Sequence, residues 1–306
     1  MHAIEIRHIS KRFGAVTAVE NLTLDVPEGS IYGFIGPNGS GKTTTIRMIM
    51  NILLPDEGQV LVLGRASHSS VRDDVGYLPE ERGLYKRMTV RRVLRYYGQL
   101  KGRSAAELDP LITHWLDRLQ LGAWADKRVQ TLSKGMSQKV QFISAIVSNP
   151  KVLILDEPFS GLDPLNANAL RDAVLEIRRR GTTVVFSTHD MSTAERLCDR
   201  IFMIFKGRKV LDGTLDDIQS QYGQNTVRIR TAGGAPVLSR FSEIEEIIDH
   251  GNVQDVRLRV DAQVFLQKLA GETAVYHFEI SKPSLHDIFV RIVQPGDEAA
   301  AGEGAA

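Results

Sequence analysis

The sequence predicts an α/β fold with a largely parallel sheet, an antiparallel β layer, an inserted helical subdomain and a small C-terminal α+β domain. Strand-length apolar runs alternate with helical segments up to about residue 220, and the runs at 31–35, 152–155 and 183–187 are almost continuously apolar. Such strands are typical of a parallel sheet covered by helices on both faces. Residues 4–26 instead alternate polar and apolar side chains, which indicates an antiparallel layer beside it.

The strand pattern disappears between about residues 89 and 149. Apolar residues recur at helical spacing from Val90 to Tyr97, and Ser104 with Glu107 forms a capping box in front of a further amphipathic segment. We therefore expect a helical subdomain at about 89–149, inserted into a first domain that spans residues 1–222.

The sequence after Gly223 predicts a second domain at 223–294 in which strands and helices alternate. We expect strands at 226–230, 256–260 and 275–280, and helices at 241–248, 262–269 and 285–293. The remaining residues, 295–306, are rich in Ala, Gly and Glu, a composition that predicts a disordered tail.

Composition limits the class of protein. The 306 residues carry a formal net charge of +1, so no overall basic field would recruit nucleic acid, and we expect no nucleic-acid partner. No apolar run approaches the ~18 residues of a membrane helix, and the N-terminus lacks the pattern of a signal peptide. The single cysteine, Cys198, fits a reducing compartment and reads as a buried structural thiol rather than a nucleophile. These features predict a cytoplasmic protein that reaches a membrane only through a partner.

The segment Gly36–Thr43 reads G-x-x-x-x-G-K-T and stands between the predicted strand 31–35 and a predicted helix. In this context the motif predicts a P-loop NTPase, because backbone N–H groups of the glycine-rich loop and the helix N-terminus surround phosphate oxygens. Lys42 would neutralise the β- and γ-phosphates of ATP, and the Thr43 hydroxyl would ligate Mg²⁺. The expected nucleotide-binding residues of this loop are Gly36, Pro37, Asn38, Gly39, Ser40, Gly41, Lys42, Thr43 and Thr44.

Two carboxylates, Asp156 and Glu157, follow the buried run 152–155. They would lie at the C-terminal edge of the strand, where open α/β sheets bind ligands. We expect Asp156 to hold Mg²⁺ and Glu157 to act as the general base that takes the proton of the attacking water. Turns also favour such residues, so this prediction depends on the presence of the Lys42 loop.

Three further segments resemble motifs of the ABC ATPases, and the resemblance covers about residues 4–215. Leu132–Met136 resembles the LSGGQ signature, Ser160–Asp163 the D-loop, and Ser187–Asp190 the switch histidine segment. The resemblance implies ATP hydrolysis, integral-membrane transporter subunits as partners, and a head-to-tail dimer of ATPase subunits. Each ATP would lie between the Lys42 loop of one subunit and the 133–135 segment of the other.

The same resemblance implies roles for individual residues. Ser133, Gly135 and Asp163 would bind nucleotide, with Ser133 capping a helix that points at the γ-phosphate, and His189 would sense that phosphate. Phe13 stands where the family has an aromatic residue against adenine, although a place in the hydrophobic core fits Phe13 nearly as well.

Three positions depart from the family pattern. Glu80 occupies the position of the Q-loop glutamine, where it is expected to ligate Mg²⁺ and to belong to the catalytic site, and Lys134 and Met136 replace Gly and Gln of the signature. Two interpretations of Lys134 stay open. Its side chain is either solvated or adds positive charge near the opposing γ-phosphate. Together with the α+β extension that ends in Leu285–Phe289, these departures look like the subfamily that includes sodium-extruding exporters of the ABC-2 type.

We therefore expect the ATPase subunit of an ABC-2-type exporter, peripheral on the inner face of the cell membrane. The choice between a homodimer and a heterodimer stays open, as does the substrate. An ABC machine that acts on ribosomes or DNA would carry two ATPase domains or a long coiled coil, and a P-loop kinase would not need the 133–135 segment or Glu157.

Overall fold

The structure is a computed structural model that describes residues 1–66, 73–81, 83–222 and 226–293. Two compact units make up the chain, Met1–Gly213 and Thr214 onward. The predicted start of the second domain at 223 and the predicted tail at 295–306 lie outside the described residues. No helix within the described ranges combines the length and apolar composition of a membrane span.

An antiparallel sheet forms the first layer of unit one, as the alternating pattern predicted. Its spatial order is β2-β1-β4-β5, and its strands are β1 His2–Phe13, β2 Val16–Pro27, β4 Glu57–Val62 and β5 Arg65–Ala66. Ile4 and Ile6 pair with Val26 and Leu24, and all four side chains are buried on one face. The alternation therefore places this face against the rest of the unit.

The second sheet of this unit has the order β10-β9-β3-β8-β7-β6 and is parallel from β9 to β6, whereas β10 runs antiparallel to β9. The strands are β3 Ile31–Ile35, β6 Val75–Leu78, β7 Val152–Asp156, β8 Thr183–Thr188, β9 Arg200–Phe205 and β10 Arg208–Gly213. Every residue of β3, β7 and β8 is buried, which confirms the covered parallel sheet. Two hydrophobic clusters pack on its faces and leave the C-terminal strand ends available for polar residues.

The helices of unit one are α1 Lys42–Ile49, α2 Val90–Leu100, α3 Ala105–Arg118, α4 Lys134–Ile146, α5 Pro164–Arg179 and α6 Met191–Leu197. Helices α2 to α4 form the helical segment predicted at 89–149. The capping box is present, because Ser104 accepts from the Glu107 N–H while the Glu107 carboxylate accepts from the Ser104 N–H.

The second unit begins with a helix and continues with a four-stranded antiparallel sheet of order β12-β13-β11-β14. Its elements are α7 Leu215–Tyr222, β11 Thr226–Thr231, α8 Gly234–Leu238, β12 Ile244–Asp249, β13 Gln254–Leu258, α9 Ala262–Glu272, β14 Val275–Ile280 and α10 Leu285–Val293. Helix α7 had been expected in the first domain. It belongs to the second unit because Gln219 donates to the Pro283 carbonyl (2.9 Å) and Arg291 donates to the Tyr222 carbonyl (2.8 Å).

The prediction of a helix at 241–248 is wrong. Its place is taken mainly by strand β12, preceded by the short helix α8, which the pattern did not predict. Apolar positions 241, 244, 247 and 248 fit a helical period, but Ile244 and Ile247 pair with Leu258 and Val256 of β13. Adjacent β-branched side chains suit an extended strand, and this pairing outweighs the local periodicity.

Cys198 is expected to resist modification in the folded chain. It follows α6, and its Sγ atom packs so closely on β3 that a Cβ atom at Gly33 would lie 2.5 Å from it. Burial raises the pKa of the thiol far above its ordinary value, so the thiolate is scarce at neutral pH. Ellman's reagent should label less than about a tenth of the thiol at pH 8 in the native protein. Full labelling should require denaturant, and rapid native labelling would contradict a structural role.

Candidate active site

The loop between β3 and α1 needs glycine at two positions. Gly36 has φ 157° and Gly41 has φ 113°. A Cβ atom would lie 2.3 Å from the Ile204 carbonyl oxygen at Gly36, and 2.6 Å from the Ala18 carbonyl oxygen at Gly41. The loop can therefore follow this path only because Gly36 and Gly41 have no side chains. The rest of the loop includes half-buried Pro37, exposed Asn38 and Gly39, buried Ser40 and, at its helical end, half-buried Thr43 and Thr44.

Lys42 places a buried cation at the centre of this loop. Its side chain is 6% exposed, and Nζ donates to the carbonyls of Gly36 (2.7 Å) and Pro37 (3.1 Å). Nζ also lies 3.9 Å from Oε1 of Glu157. Burial lowers the pKa of Lys42, while the carboxylates of Glu157, Asp156 and Glu80 oppose this shift. The site thus gathers a cation and three carboxylates from separate parts of the chain.

The oxygen atoms beside Lys42 suit a hard divalent cation. Thr43 Oγ1 donates to Asp156 Oδ1 (3.4 Å), and Ser187 Oγ donates to the same oxygen (2.5 Å). Asp156 Oδ2 and Ser40 Oγ are buried without a hydrogen-bond partner among the described residues. Buried polar atoms are rarely left unsatisfied, and carboxylate and hydroxyl oxygens are the ligands that Mg²⁺ prefers. The donor set therefore fits Mg²⁺.

Glu157 is held in an unusual backbone conformation beside a histidine. Its φ of 48° lies in the left-handed region, and its N–H donates to Ser187 Oγ (3.0 Å). Its side chain is 9% exposed, and Oε1 lies 3.0 Å from Nδ1 of His189. Residues held in sparsely populated conformations cluster at functional sites, where the surrounding structure maintains them. The geometry presents the Glu157 carboxylate to the loop with Lys42 on one side and His189 on the other.

A cavity of about 170 Å³ adjoins these carboxylates and is lined by Glu80 and Lys134 together with Asp156 and Glu157. Glu80 is exposed on the loop after β6, so the structure brings it to the site from a distant part of the chain. Lys134 is exposed, and a Cβ atom at Gly161 would lie 3.0 Å from its Nζ. Lys134 therefore lies beside the carboxylates and the 160–163 segment of its own chain.

The signature segment lies at the beginning of a helix, as predicted. Ser133 is exposed and caps α4, with Oγ accepting from the Met136 N–H (3.2 Å). Gly135 packs near Asn166, since a Cβ atom there would lie 3.0 Å from Nδ2 of that residue. Asp163 is exposed and caps α5 by accepting from the Asn166 N–H (3.0 Å), which lowers its pKa. Ser133, Gly135 and Asp163 thus lie at the starts of two helices, α4 and α5.

Phe13 does not belong to the core. It ends β1 with 51% of its surface exposed, and Lys11 Nζ lies 5.8 Å from its ring centre. This exposure excludes the core role considered for Phe13, and contact with adenine stays a prediction.

Sequence reasoning missed three buried polar side chains that hold the site. The Ser187 hydroxyl bridges the Asp156 carboxylate and the Glu157 N–H. On α4, Gln138 Nε2 donates to the Pro158 carbonyl (2.6 Å), and Gln141 Nε2 donates to the Glu81 carbonyl (3.1 Å). Each of these three is a polar residue at a position of its strand or helix where the pattern is otherwise apolar. Buried polar groups need hydrogen-bond partners, so this pattern was the signal that could have identified them.

Comparison with known proteins agrees with this geometry. Residues 19–160 match the family described as "ABC transporter", and residues 213–293 match "ATP-binding protein DrrA1-3-like, C-terminal domain". The chain is 40% identical over 293 residues to the uncharacterized ABC transporter ATP-binding protein YhaQ of Bacillus subtilis, covering 95% of this chain and 98% of YhaQ. It is 34% identical to the Nod factor export ATP-binding protein I of Burkholderia lata, covering 94% of this chain and 96% of that protein.

A solved structure described as the ATP-binding subunit of an ABC transporter superposes with a TM-score of 0.68 at 34% identity, covering 72% of this chain and 93% of that one. The fold, the site and the near full-length similarity to these relatives agree. The chain therefore belongs to the ATP-binding subunits of ABC transporters, which hydrolyse ATP to drive transport.

Proposed function

We propose that this chain hydrolyses Mg·ATP with Lys42, Thr43, Asp156, Glu157 and His189 and thereby drives an exporter. The observation that carries the proposal is the convergence of Lys42 Nζ and His189 Nδ1 on one carboxylate, at 3.9 and 3.0 Å from Glu157 Oε1. A P-loop fold alone would not require this arrangement. The direct test is Mg²⁺-dependent release of phosphate from ATP by the purified chain.

In the proposed mechanism the loop N–H groups and Lys42 bind the β- and γ-phosphates. Thr43 and Asp156 would hold Mg²⁺, which would supply charge neutralisation at the phosphates. Glu157 takes the proton of the attacking water, and His189, whose Nδ1 lies 3.0 Å from Glu157 Oε1, senses the γ-phosphate from beside that carboxylate. Positioning and electrostatic stabilisation provide most of the catalysis in phosphoryl transfer, which suits a site built from charges rather than a covalent nucleophile.

We propose further that two ATPase subunits close over the nucleotides head to tail. Ser133 and Gly135 at the exposed start of α4, with Asp163 at the start of α5, would face the nucleotide that the partner subunit's loop holds. Helix N-termini favour phosphate because of their free N–H groups, and α4 has 13 residues. Exposed Phe13 would stack on the adenine.

The partners of this dimer are proposed to be integral-membrane subunits of an ABC-2-type exporter, which would hold the chain at the cytoplasmic face of the membrane. The similarity to a Nod factor export protein and to the DrrA1-3-like C-terminal domain supports export. Co-purification with an integral-membrane protein would test this part, and recovery of the chain only with ribosomes or DNA would contradict it.

Replacing Glu80 by glutamine is expected to change ATPase activity by less than about tenfold, or ~1.4 kcal/mol of barrier. Glu80 lines the carboxylate cavity but is exposed, so the amide should keep its packing and weaken only its interaction with Mg²⁺. Mg²⁺ titrations of the ATPase rate should therefore show a higher half-saturating concentration. Glu81→Gln, at the adjacent exposed residue, is the matched control. A loss of several hundredfold in Glu80→Gln would mean that Glu80 takes part in the chemistry.

Removing the Ser187 hydroxyl is expected to slow hydrolysis by about 10–100-fold, in line with the ~1–3 kcal/mol cost of leaving buried partners unsatisfied. Ser187→Ala takes one donor from Asp156 and the acceptor from the Glu157 N–H. Ser187→Thr keeps the hydroxyl and should recover most of the rate. A Ser187→Ala protein with an unchanged turnover number and Mg²⁺ requirement would show that the bridge is only structural.

A further inference from the structure

The sequence that follows Glu80 and Glu81 is unusually basic. Residues 82–106 contain eight lysines and arginines and no aspartate or glutamate, although the whole chain has a formal net charge of only +1. Protein surfaces usually mix charges of both signs, so a solvated position alone does not account for this composition. The ATPase mechanism proposed above uses none of these cations.

Three of these cations lie on the surface without a carboxylate partner. A turn begins at Tyr85 and is closed by the Met88 N–H, which donates to the Tyr85 carbonyl (3.1 Å), and exposed Lys86 and Arg87 occupy its two central positions. Arg92 is exposed in the first turn of α2, where the helix dipole disfavours a cation. Within the described ranges, Lys86, Arg87 and Arg92 form no ion pair with a carboxylate. Their charges are therefore available to an external anion.

Tyrosine rings join this turn to the helix. The Tyr85 side chain is 50% exposed, and its ring meets the Tyr96 ring edge to face, with 5.5 Å between the ring centres. Tyr96 lies four residues after Arg92 on α2, and residues at this spacing are neighbours on the surface of a helix. Lys86 and Arg87 directly follow Tyr85. Tyr85, Lys86, Arg87 and Arg92 thus form one basic surface.

We propose that this basic surface binds anionic phospholipid headgroups directly. Lysine and arginine near an anionic leaflet strengthen membrane binding, and tyrosine is enriched at the membrane–water interface because its ring is apolar and its hydroxyl is polar. Side chains at the corner of an exposed turn project outward, which suits a broad charged plane better than a protein segment that needs a groove. The proposal goes beyond the ATPase function, because lipid binding needs neither nucleotide nor a membrane subunit.

Co-sedimentation of the purified full-length chain with lipid vesicles, in the absence of nucleotide, tests the proposal. Vesicles of phosphatidylcholine with about one third phosphatidylglycerol are expected to bind the chain at least about tenfold more tightly than phosphatidylcholine alone. This binding should weaken steeply between ~0.1 and ~0.5 M salt, because salt screens exposed charges. A triple variant, Lys86→Gln with Arg87→Gln and Arg92→Gln, should bind about 100-fold more weakly, since each cation contributes about fivefold.

Two further variants locate the effect. Lys151→Gln with Arg179→Gln and Arg196→Gln removes the same charge from exposed positions elsewhere in the first unit. This matched control should bind anionic vesicles like the wild type. Tyr85→Trp places a fluorescent ring at the proposed contact, and a brominated phospholipid in anionic vesicles should quench its emission beyond any quenching of the wild type.

Several results would overturn this inference. They are equal binding to both kinds of vesicle, unchanged binding by the first triple variant, and an equal loss in the control, which would make net charge the only cause. Binding to a poly-glutamate peptide but not to vesicles would assign the surface to an acidic protein instead. Circular dichroism shows whether the variants are folded, and Arg87→Gln alone, with an expected loss of about fivefold, carries the test if the triple variant unfolds. A negative result would leave the ATPase assignments unaffected, because those are measured without lipid.

Discussion

Lys42→Ala is expected to reduce ATP turnover to the background rate, a loss of at least ~10³-fold, because several phosphate oxygens would lose one fixed cation. Lys42 is buried within the loop, with Nζ 2.7 Å from the Gly36 carbonyl and 3.9 Å from Glu157 Oε1. The described side chains around this point otherwise contribute the carboxylates of Asp156, Glu157 and Glu80, which repel a polyphosphate when no cation opposes them. Loss of Lys42 should therefore weaken nucleotide binding as well as turnover.

The experiment is a steady-state ATPase assay with a fluorescent-nucleotide titration. Lys127→Ala, at an exposed lysine of the helical segment, is the matched control and should behave like the wild type. Circular dichroism should show that both variants are folded. Burial disfavours the charged form of Lys42, so removing this side chain should not destabilise the fold. Wild-type turnover in Lys42→Ala would refute the assignment of this loop to the phosphates.

Glu157→Gln is expected to slow hydrolysis by roughly 10²–10⁴-fold, which is the usual contribution of a positioned general base. Glutamine keeps the shape of the side chain but cannot accept the proton. Lys42, Thr43 and the loop N–H groups are unchanged, so ATP should still bind. The backbone conformation at φ 48° is also unaffected, because glutamine meets the same restriction there as glutamate. Glu28→Gln, at an exposed residue of the same unit, is the control and should keep its activity.

The same variant tests the proposed dimer. If each ATP joins the Lys42 loop of one subunit to the partner subunit's Ser133, Glu157→Gln should remain dimeric with ATP and Mg²⁺ in light-scattering measurements. Adding Ser133→Arg should dissociate the dimer, since a large side chain would cover the exposed start of α4. A Glu157→Gln protein that binds ATP tightly yet stays monomeric would contradict the homodimer. It would require a different ATPase partner or the membrane subunits for closure.

The local sequence predicted those structural features of this protein that depend only on residues close together in the chain. Gly36–Thr43 follows a buried strand and opens a helix, and Asp156 ends another buried strand, as their patterns indicated. The Ser104 capping box and the helix start at Ser133 were also predictable. In each case the hydrogen bonds and the backbone conformation arise within a few residues, so the signal is present in the order of the side chains.

Tertiary structure decided which distant residues meet. The Ser187 hydroxyl lies 31 positions from Asp156, and Gln141 lies 62 positions from Pro79, yet both pairs form hydrogen bonds through packing of β8 and α4 on their neighbours. The strand Ile244–Asp249 likewise depends on pairing with β13, which overrode a helical period. Sequence periodicity reports only which face of an element is apolar. The contacts of Glu80 and Lys134 depend on how those faces pack, and that became visible only in three dimensions.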